Sequence, residues 1–509
     1  MVATATLALL ALAGPAQSAP RKASRPIDAL RRAEALFHGS PFRPPVDGTL
    51  ELRDLALARD RLSPALRPRA DALLQRPDDP ASAGGDVHYT VPSTTFCTEH
   101  FCVHYVTSTT DAPPPRDANG NGVPDWVETT AGVLEFLWQK EVAEYGFRPP
   151  PTDLVLPNHG PDGRFDVYLA DIVDEGVLGF CAPEPPTNYT GWNVPGYCVL
   201  DNDYSPAQIA PPGLGGLLEL ELTAVHEFFH AIQFGYDYGD DTWLLEGTAT
   251  WIEDSVYDQV NEPYARFPYS ALRQPQVSLD TASATTPYQY GSWVFWRFLE
   301  ERLAGPSHID PGVIRRVWEF ADGSPGAPNL YSIEAVKAVL AEHGISFPAA
   351  WLDFAVVNFV PKSFYREGKT WPSAPVSRTS ELGAGSAARG AFAVDHLASG
   401  YVAFVPSARA GPRAQLVLSV DLPPIVRGST AAAIVFRRSG DFVTRDISLS
   451  SSGSGHTTVP FGRGAVSRVV LVLANASTRY RCGRVEPYSC RGEPLDDDLA
   501  YRYTARVTG

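Results

Sequence analysis

At 509 residues, 44% of them hydrophobic, the chain is long enough for about two to four domains with cores of ordinary size. The formal net charge is −16, and no Lys/Arg run supplies the basic face that a nucleic-acid binder needs, so that class is excluded. The acidic balance fits solubility outside the cell.

The chain opens MVATATLALLALAGPAQSAP, which reads as a secretory signal peptide over residues 1–18. Its apolar stretch from Leu7 to Ala13 is too short to span a bilayer, and Ala16-Gln17-Ser18 offers a small-residue cleavage site. It departs from the usual pattern in having no Lys or Arg before the apolar stretch. No later segment reaches transmembrane length, so the expected location is extracellular or periplasmic. Residues 19–86 follow as a charged, helix-like segment. Leu52, Leu55, Leu57 and Leu62 fit an amphipathic pattern loosely, and RPDDPASAGG (76–85) has the composition of a linker. Such a segment is either a propeptide or a docked part of the mature protein.

From residue 87 the pattern mixes strands and helices. TFCTEHFCVHYV reads as a strand on which His100 and His104 share one face, with packing or structural hydrogen bonding as their expected role. DANGNGVPDWVE (117–128) fits the calcium-loop pattern D-x-[DN]-x-[DN]-G-x5-E. The template assigns Asp117, Asn119, Asn121, the Val123 carbonyl, Asp125 and Glu128 as ligands, with Gly122 at the sharp turn. The prolines of TSTTDAPPP forbid an entering helix, and Pro124 stands where two such loops would normally pair. The expectation is a lone structural calcium site, not a sensor. Two Asn ligands lower its charge and suit calcium at about millimolar level. A helix is predicted over 123–145, closed by Gly146, and a strand over 163–172.

The six cysteines come as near neighbours, Cys97 with Cys102, Cys181 with Cys198 and Cys482 with Cys490. None forms a C-x-x-C pair, and an even count behind a signal peptide favours disulfides. Near-neighbour pairing is preferred among the fifteen arrangements that six cysteines allow.

Helices are predicted over 215–236, 244–257, 289–303 and 331–343. The first carries His226-Glu227-Phe228-Phe229-His230, an H-E-x-x-H motif. Two histidines at i and i+4 lie on one helical face and can reach one zinc ion. Glu227 lies beside that face, where it can take a proton from water that the metal activates. Leu218, Leu222, Val225, Phe229 and Ile232 form a core stripe on the same helix. The histidines lie off the stripe with Gln233, as ligands offered from a second face. In WLLEGTATWIED, Glu246, Thr250 and Glu253 share one side of the next helix, which makes Glu246 the candidate third ligand. Asp237, Asp240 and Asp241, between the two helices, read as a solvated turn.

These motifs resemble the gluzincin metallopeptidases, whose third zinc ligand is a Glu on a following helix. Locally, E-G-T-A-T-W-I-E resembles the E-G-x-A-[ST]-x-x-E segment of the aminopeptidase N-like branch. The resemblance maps the ligand onto Glu246 and leaves Glu253 as a carboxylate that steadies a liganding histidine. The spacing from His230 is shorter than in that branch, which keeps Glu253 open as an alternative ligand. PYQYG (287–291) resembles the branch's P-Y-x-x-G and maps the Tyr that supports the developing oxyanion onto Tyr288. An amine-anchoring G-x-M-E-N-like segment is missing, which favours endopeptidase over aminopeptidase action. More loosely, the whole chain resembles an uncharacterised family of secreted bacterial metalloprotease-like proteins. That family carries an N-G-N-G-V-P-D-like loop ahead of its H-E-x-x-H helix.

After residue 371 a loop-like stretch gives way to a period of two. Leu416, Leu418, Val420 and Leu422 alternate, as do Val469, Leu471 and Leu473, then Tyr501, Tyr503, Ala505 and Val507. The expected fold is an α+β zincin-like catalytic domain over 87–380 with an all-β sandwich over 388–509. The expected function is a secreted zinc metallopeptidase acting on proteins or peptides, with one catalytic zinc and one structural calcium. The rival expectation is a calcium-stabilised surface-binding or structural protein with a vestigial zinc site. Oligomeric state, substrate and cleavage specificity are not specified by these motifs.

Overall fold

The computed structural model describes residues 25–37, 48–80, 87–173, 177–209, 215–283, 286–305, 310–484 and 487–509. The predicted signal peptide lies outside them. The N-terminal segment forms three helices, α1 (Pro26–Leu36), α2 (Thr49–Arg59) and α3 (Arg67–Leu74). They are docked on the rest of the chain.

A five-stranded sheet follows from β1 (Thr94–Cys97), β2 (Phe101–Tyr105), β3 (Phe165–Ala170), β4 (Gly179–Pro183) and β5 (Gly196–Asp201). Their order is β1-β2-β3-β5-β4. The three central strands run parallel, while β1 and β4 pair antiparallel at the two edges. The centre is covered on both faces, so β2, β3 and β5 are buried at every position. Phe101, Val103, Val167 and Leu169 face one core, and Tyr168, Phe180, Tyr197 and Val199 face α1–α3.

Helix α4 (Asp125–Leu137) starts in the predicted calcium loop and has no helix before it. It does not run on as an α-helix to 145: at Trp138 it widens into a π-helical turn that ends at Glu144. Glu141 in that turn is fully buried, and burial raises its pKa well above the usual carboxylate range. Helices α5 (Gly216–Asp237) and α6 (Thr242–Val256) form an antiparallel pair close to the predicted limits. The short α7 (Tyr288–Gly291) leads into α8 (Trp293–Ala304). Then come α9 (Gly312–Ala321), α10 (Ile333–Glu342) and α11 (Phe347–Phe359). Among the described residues, no helix is long and apolar enough to cross a membrane.

Two further sheets make the C-terminal sandwich. One has the order β11-β10-β13-β8-β6 and the other β12-β9-β16-β7. The strands are β6 (Arg378–Leu382), β7 (Ala387–Ala393), β8 (Ala398–Pro406), β9 (Gln415–Asp421), β10 (Ser429–Arg437), β11 (Phe442–Asp446), β12 (Ser454–Pro460), β13 (Val466–Asn475) and β16 (Ala500–Thr508). A two-residue pair, β14 (Tyr480–Arg481) and β15 (Glu493–Pro494), lies outside them. The sandwich begins at Arg378, ahead of the expected 388, because β6 is a short, mostly exposed edge strand whose pattern resembles a loop.

The cysteines pair as Cys97–Cys102, Cys181–Cys198 and Cys482–Cys490. Three disulfides fit an oxidising, extracellular setting. Two further readings change. His100 and His104 do not share a face: His100 precedes β2 and stacks on Trp138, whereas His104 stacks on Tyr168 and bonds Asp166 at 2.7 Å. Asp237, Asp240 and Asp241 are buried, not solvated. Asp240 accepts from the Ser332 amide at 3.1 Å, and Asp241 accepts from the Cys490 amide at 2.9 Å and from the Tyr331 hydroxyl.

A buried histidine clasps the sandwich to the body. His396 meets Asp280 at 3.0 Å through Nε2 and Asp497 at 2.6 Å through Nδ1. Burial pulls its pKa down, but Asp280 and Asp497 outweigh this and push it up to about 9. The folded value exceeds the unfolded one, so the clasp contributes fully below about pH 6.5 and is lost as pH rises through about 9, with roughly 3 kcal/mol at stake. Thermal melts from pH 7 to 10 should show this loss, and His396→Gln should flatten it.

Candidate metal centre

The centre is built where β4 closes on α5. Gly179 allows this approach, since a Cβ there would stand 2.6 Å from Thr223 Cγ2 and 3.0 Å from Glu227 Cγ. Helix α6 returns antiparallel to α5 and is held from behind by α8. At Gly247 a Cβ would lie 2.2 Å from Ser292 Oγ and 2.4 Å from Trp296 Nε1, so only glycine lets α8 approach the helix that carries Glu246.

His226, His230 and Glu246 converge. The two Nε2 atoms are 3.1 Å apart, and Glu246 Oε2 is 3.4 Å from His226 Nε2 and 3.8 Å from His230 Nε2. Among the described residues this is the one group of three or more His, Cys, Asp or Glu ligand atoms close enough to share an ion. His230 and Glu246 are 0% exposed.

The ring orientations are set from behind. Glu253 Oε1 lies 2.6 Å from His226 Nδ1, and Gln233 Oε1 lies 2.7 Å from His230 Nδ1. Gln233 is oriented in turn, because its amide donates to the Leu245 carbonyl at 2.9 Å and to Thr248 Oγ1 at 3.0 Å. Both Nδ1 atoms therefore act as donors, and the two Nε2 atoms face one another beside a carboxylate. Three ligands held about 2.0–2.2 Å from a tetrahedral ion stand roughly 3.3–3.6 Å apart. The donor set and its spacing fit such an ion with a fourth position left open. Glu253 bonds the far side of His226, while Glu246 is the carboxylate that meets both Nε2 atoms.

Glu227 Oε2 accepts from Thr49 Oγ1 at 2.7 Å. Tyr288, the predicted oxyanion donor, is buried with its hydroxyl donating to the carbonyls of Gln274 (3.2 Å) and Val277 (3.1 Å). Its neighbour Tyr290 stands beside the centre, with its ring 6.0 Å from that of His226 and the Arg266 guanidinium 5.3 Å from its centroid. Burial opposes the charge on Arg266, yet Glu262, Glu253, Tyr290 and Glu246 raise its pKa further. Burial and then the charge of Glu253 push the Glu262 carboxyl up to about 7. Gln233, Tyr290 and Arg266 were assigned no role from sequence. Gln233 was legible as i+3 from His230, whereas no spacing signals the other two.

The 117–128 loop is folded on itself. Asp117 accepts from the amides of Gly120 (2.7 Å), Asn121 (3.2 Å) and Gly122 (2.8 Å). Asn119 and Asn121 donate to Glu128 at 2.9 and 2.7 Å, and Asp125 accepts from the Ala118 amide at 2.9 Å. The Val123 amide closes on Asn121 at 2.9 Å.

No family model matches the chain, and no curated protein matches it. Solved structures that do match include the pre-peptidase C-terminal domain of a collagenase from Bacillus anthracis. It has 10% identity over 26% of this chain and 97% of that one, with a TM-score of 0.16. A family GH115 4-O-methyl-alpha-glucuronidase matches at 9% identity over 71% of this chain and 53% of that one, with a TM-score of 0.15. At scores this low neither likeness bears on fold or function.

Proposed function

We propose that this chain is a secreted zinc-dependent metallopeptidase that hydrolyses internal peptide bonds of proteins or peptides. The supporting observation is the convergence of His226 Nε2, His230 Nε2 and Glu246 Oε2, with Glu227 next in sequence to His226. His226, His230 and Glu246 would hold zinc. When bound, zinc supplies Lewis acidity, lowering the pKa of water and polarising a carbonyl.

Glu227 is the general base: its carboxylate takes a proton from the attacking water and passes it to the leaving amine. Glu253 and Gln233 hold the two imidazoles so that both Nε2 atoms face the same point. Tyr290, not Tyr288, donates to the developing oxyanion, since the Tyr288 hydroxyl is engaged by two carbonyls. Endopeptidase action follows from the missing amine-anchoring segment. Metal analysis should find about one zinc per chain, lost in a folded His230→Ala variant. A protein without zinc, and without chelator-sensitive cleavage of casein, would instead be the binding or structural protein of the rival reading.

The 117–128 loop is assigned a structural calcium ion that stiffens the start of α4. Removing calcium with a selective chelator should lower the melting temperature, and added calcium, but not zinc, should restore it. An unchanged melting curve would reduce the loop to a self-bonded turn.

A further inference from the structure

His230 and Glu246 are fully buried in this structure. His226 and Glu227 are also buried, at 8% and 3% exposure. Part of the cover comes from the N-terminal segment. Thr49, the first residue of α2, is itself fully buried and bridges two groups that a substrate would need. Its hydroxyl donates to Glu227 Oε2 at 2.7 Å and accepts from the Cys181 amide at 2.7 Å. Cys181 is opposite Cys198 in the β4–β5 pair, and β4 is an edge strand, so this amide lies on the edge not paired with another strand.

From Thr49, helix α2 reaches the α5–α6 turn. Buried Arg53 donates to the Asp240 carbonyl at 2.7 Å and to Thr242 Oγ1 at 3.2 Å. Arg491, next to disulfide-bonded Cys490 in the C-terminal region, stands 3.6 Å from Asp54. One helix therefore touches the general base, the edge strand and the turn that leads to Glu246.

We propose that residues 25–80 are a built-in inhibitory segment, with α2 as the plug and Thr49 engaging the Glu227 carboxylate. Substrate reaches the centre only when α2 moves away from Glu227. The inference rests on the metallopeptidase reading. Displacement uncovers a ready centre, because Glu253 and Gln233, which orient the histidines, belong to α6 and α5.

The test replaces residues 81–86 with the recognition sequence of a specific protease. The zinc-loaded full chain is cut, and the segment is separated in mild denaturant. Binding of a blocked leucine hydroxamate is titrated before the cut, after separation and after the segment is added back. Tightening by a hundredfold or more on separation, reversed by add-back, supports the inhibitory role. Equal binding in all states, with zinc present, overturns this inference and leaves the peptidase reading standing. A body that unfolds once the segment is gone also overturns it, because the segment is then a fixed part of the fold. Zinc in neither form overturns both. Without cutting, the double variant Thr49→Gly/Arg53→Ala loosens α2 and should tighten hydroxamate binding about tenfold; no change there also counts against the plug.

Discussion

Glu227→Gln is expected to lower peptide hydrolysis by about 10²–10⁴-fold while zinc stays at about one per chain. The substitution keeps the shape of the side chain and an oxygen that can accept from Thr49 Oγ1, which lies 2.7 Å from Glu227 Oε2. It removes the basicity that proton transfer requires. Glu227 is absent from the convergent group of His226, His230 and Glu246, so its loss leaves the ion's ligands in place. Activity and metal content should therefore separate, whereas in His230→Ala they fall together. The assay belongs on protein freed of residues 25–80 as well as on the intact chain, since the intact chain buries Glu227. Unreduced cleavage by Glu227→Gln would remove Glu227 as the base. Tyr290→Phe in the same assay should lower kcat with little change in KM, and Tyr288→Phe should leave kcat near its original value. The reverse result would return the oxyanion role to Tyr288.

The centre was legible because its chemistry is local. His226 and His230 are one helical turn apart, and Glu246 follows on the next helix, so short-range spacing brings all three together. The lining was less legible. Tyr288 and Tyr290 are two residues apart, and only the path of α7 decides which stands beside His226. Asp237, Asp240 and Asp241 resemble a solvated turn because acidic residues cluster there, but their partners Ser332, Tyr331 and Cys490 are remote in sequence. The sandwich was visible in the alternation of Val469, Leu471 and Leu473, which face the second sheet. Val470, Val472 and Ala474 are buried as well, in the same core as α11, so β13 is covered on both faces. Helix α11 escaped prediction for a related reason: nearly every position is buried, and no polar face marks its period.

The docking of α1–α3 could not be read from sequence either, and its strongest single anchor leads to the second large effect. Arg76→Ala is expected to cost about 3–5 kcal/mol, because it leaves buried carboxylates without their cation. Arg76 is 1% exposed. Its guanidinium donates to Asp153 and Asp166 at 2.5 Å each, and to Glu184 at 2.9 Å through Nε and 2.7 Å through Nη2. For domains of this size the loss corresponds to a fall of about 10 °C in Tm. The pH dependence identifies charge as the cause. Burial, only partly offset by Arg76, already pushes the Asp153 carboxyl up to about 6, and burial raises Glu184 as well. Without Arg76 these values rise further. The variant then binds more protons folded than unfolded, so its deficit should shrink as pH falls from 8 to 5. Arg76→Lys keeps the charge but loses the planar fork that meets three carboxylates, and should fall between wild type and alanine. A deficit that is the same at pH 5 and pH 8 would mean that lost packing, not the unpaired carboxylates, sets the cost. Because Arg76 lies at the end of the segment that begins with α1, its loss should also speed the release of residues 25–80 from a chain cut at 81–86.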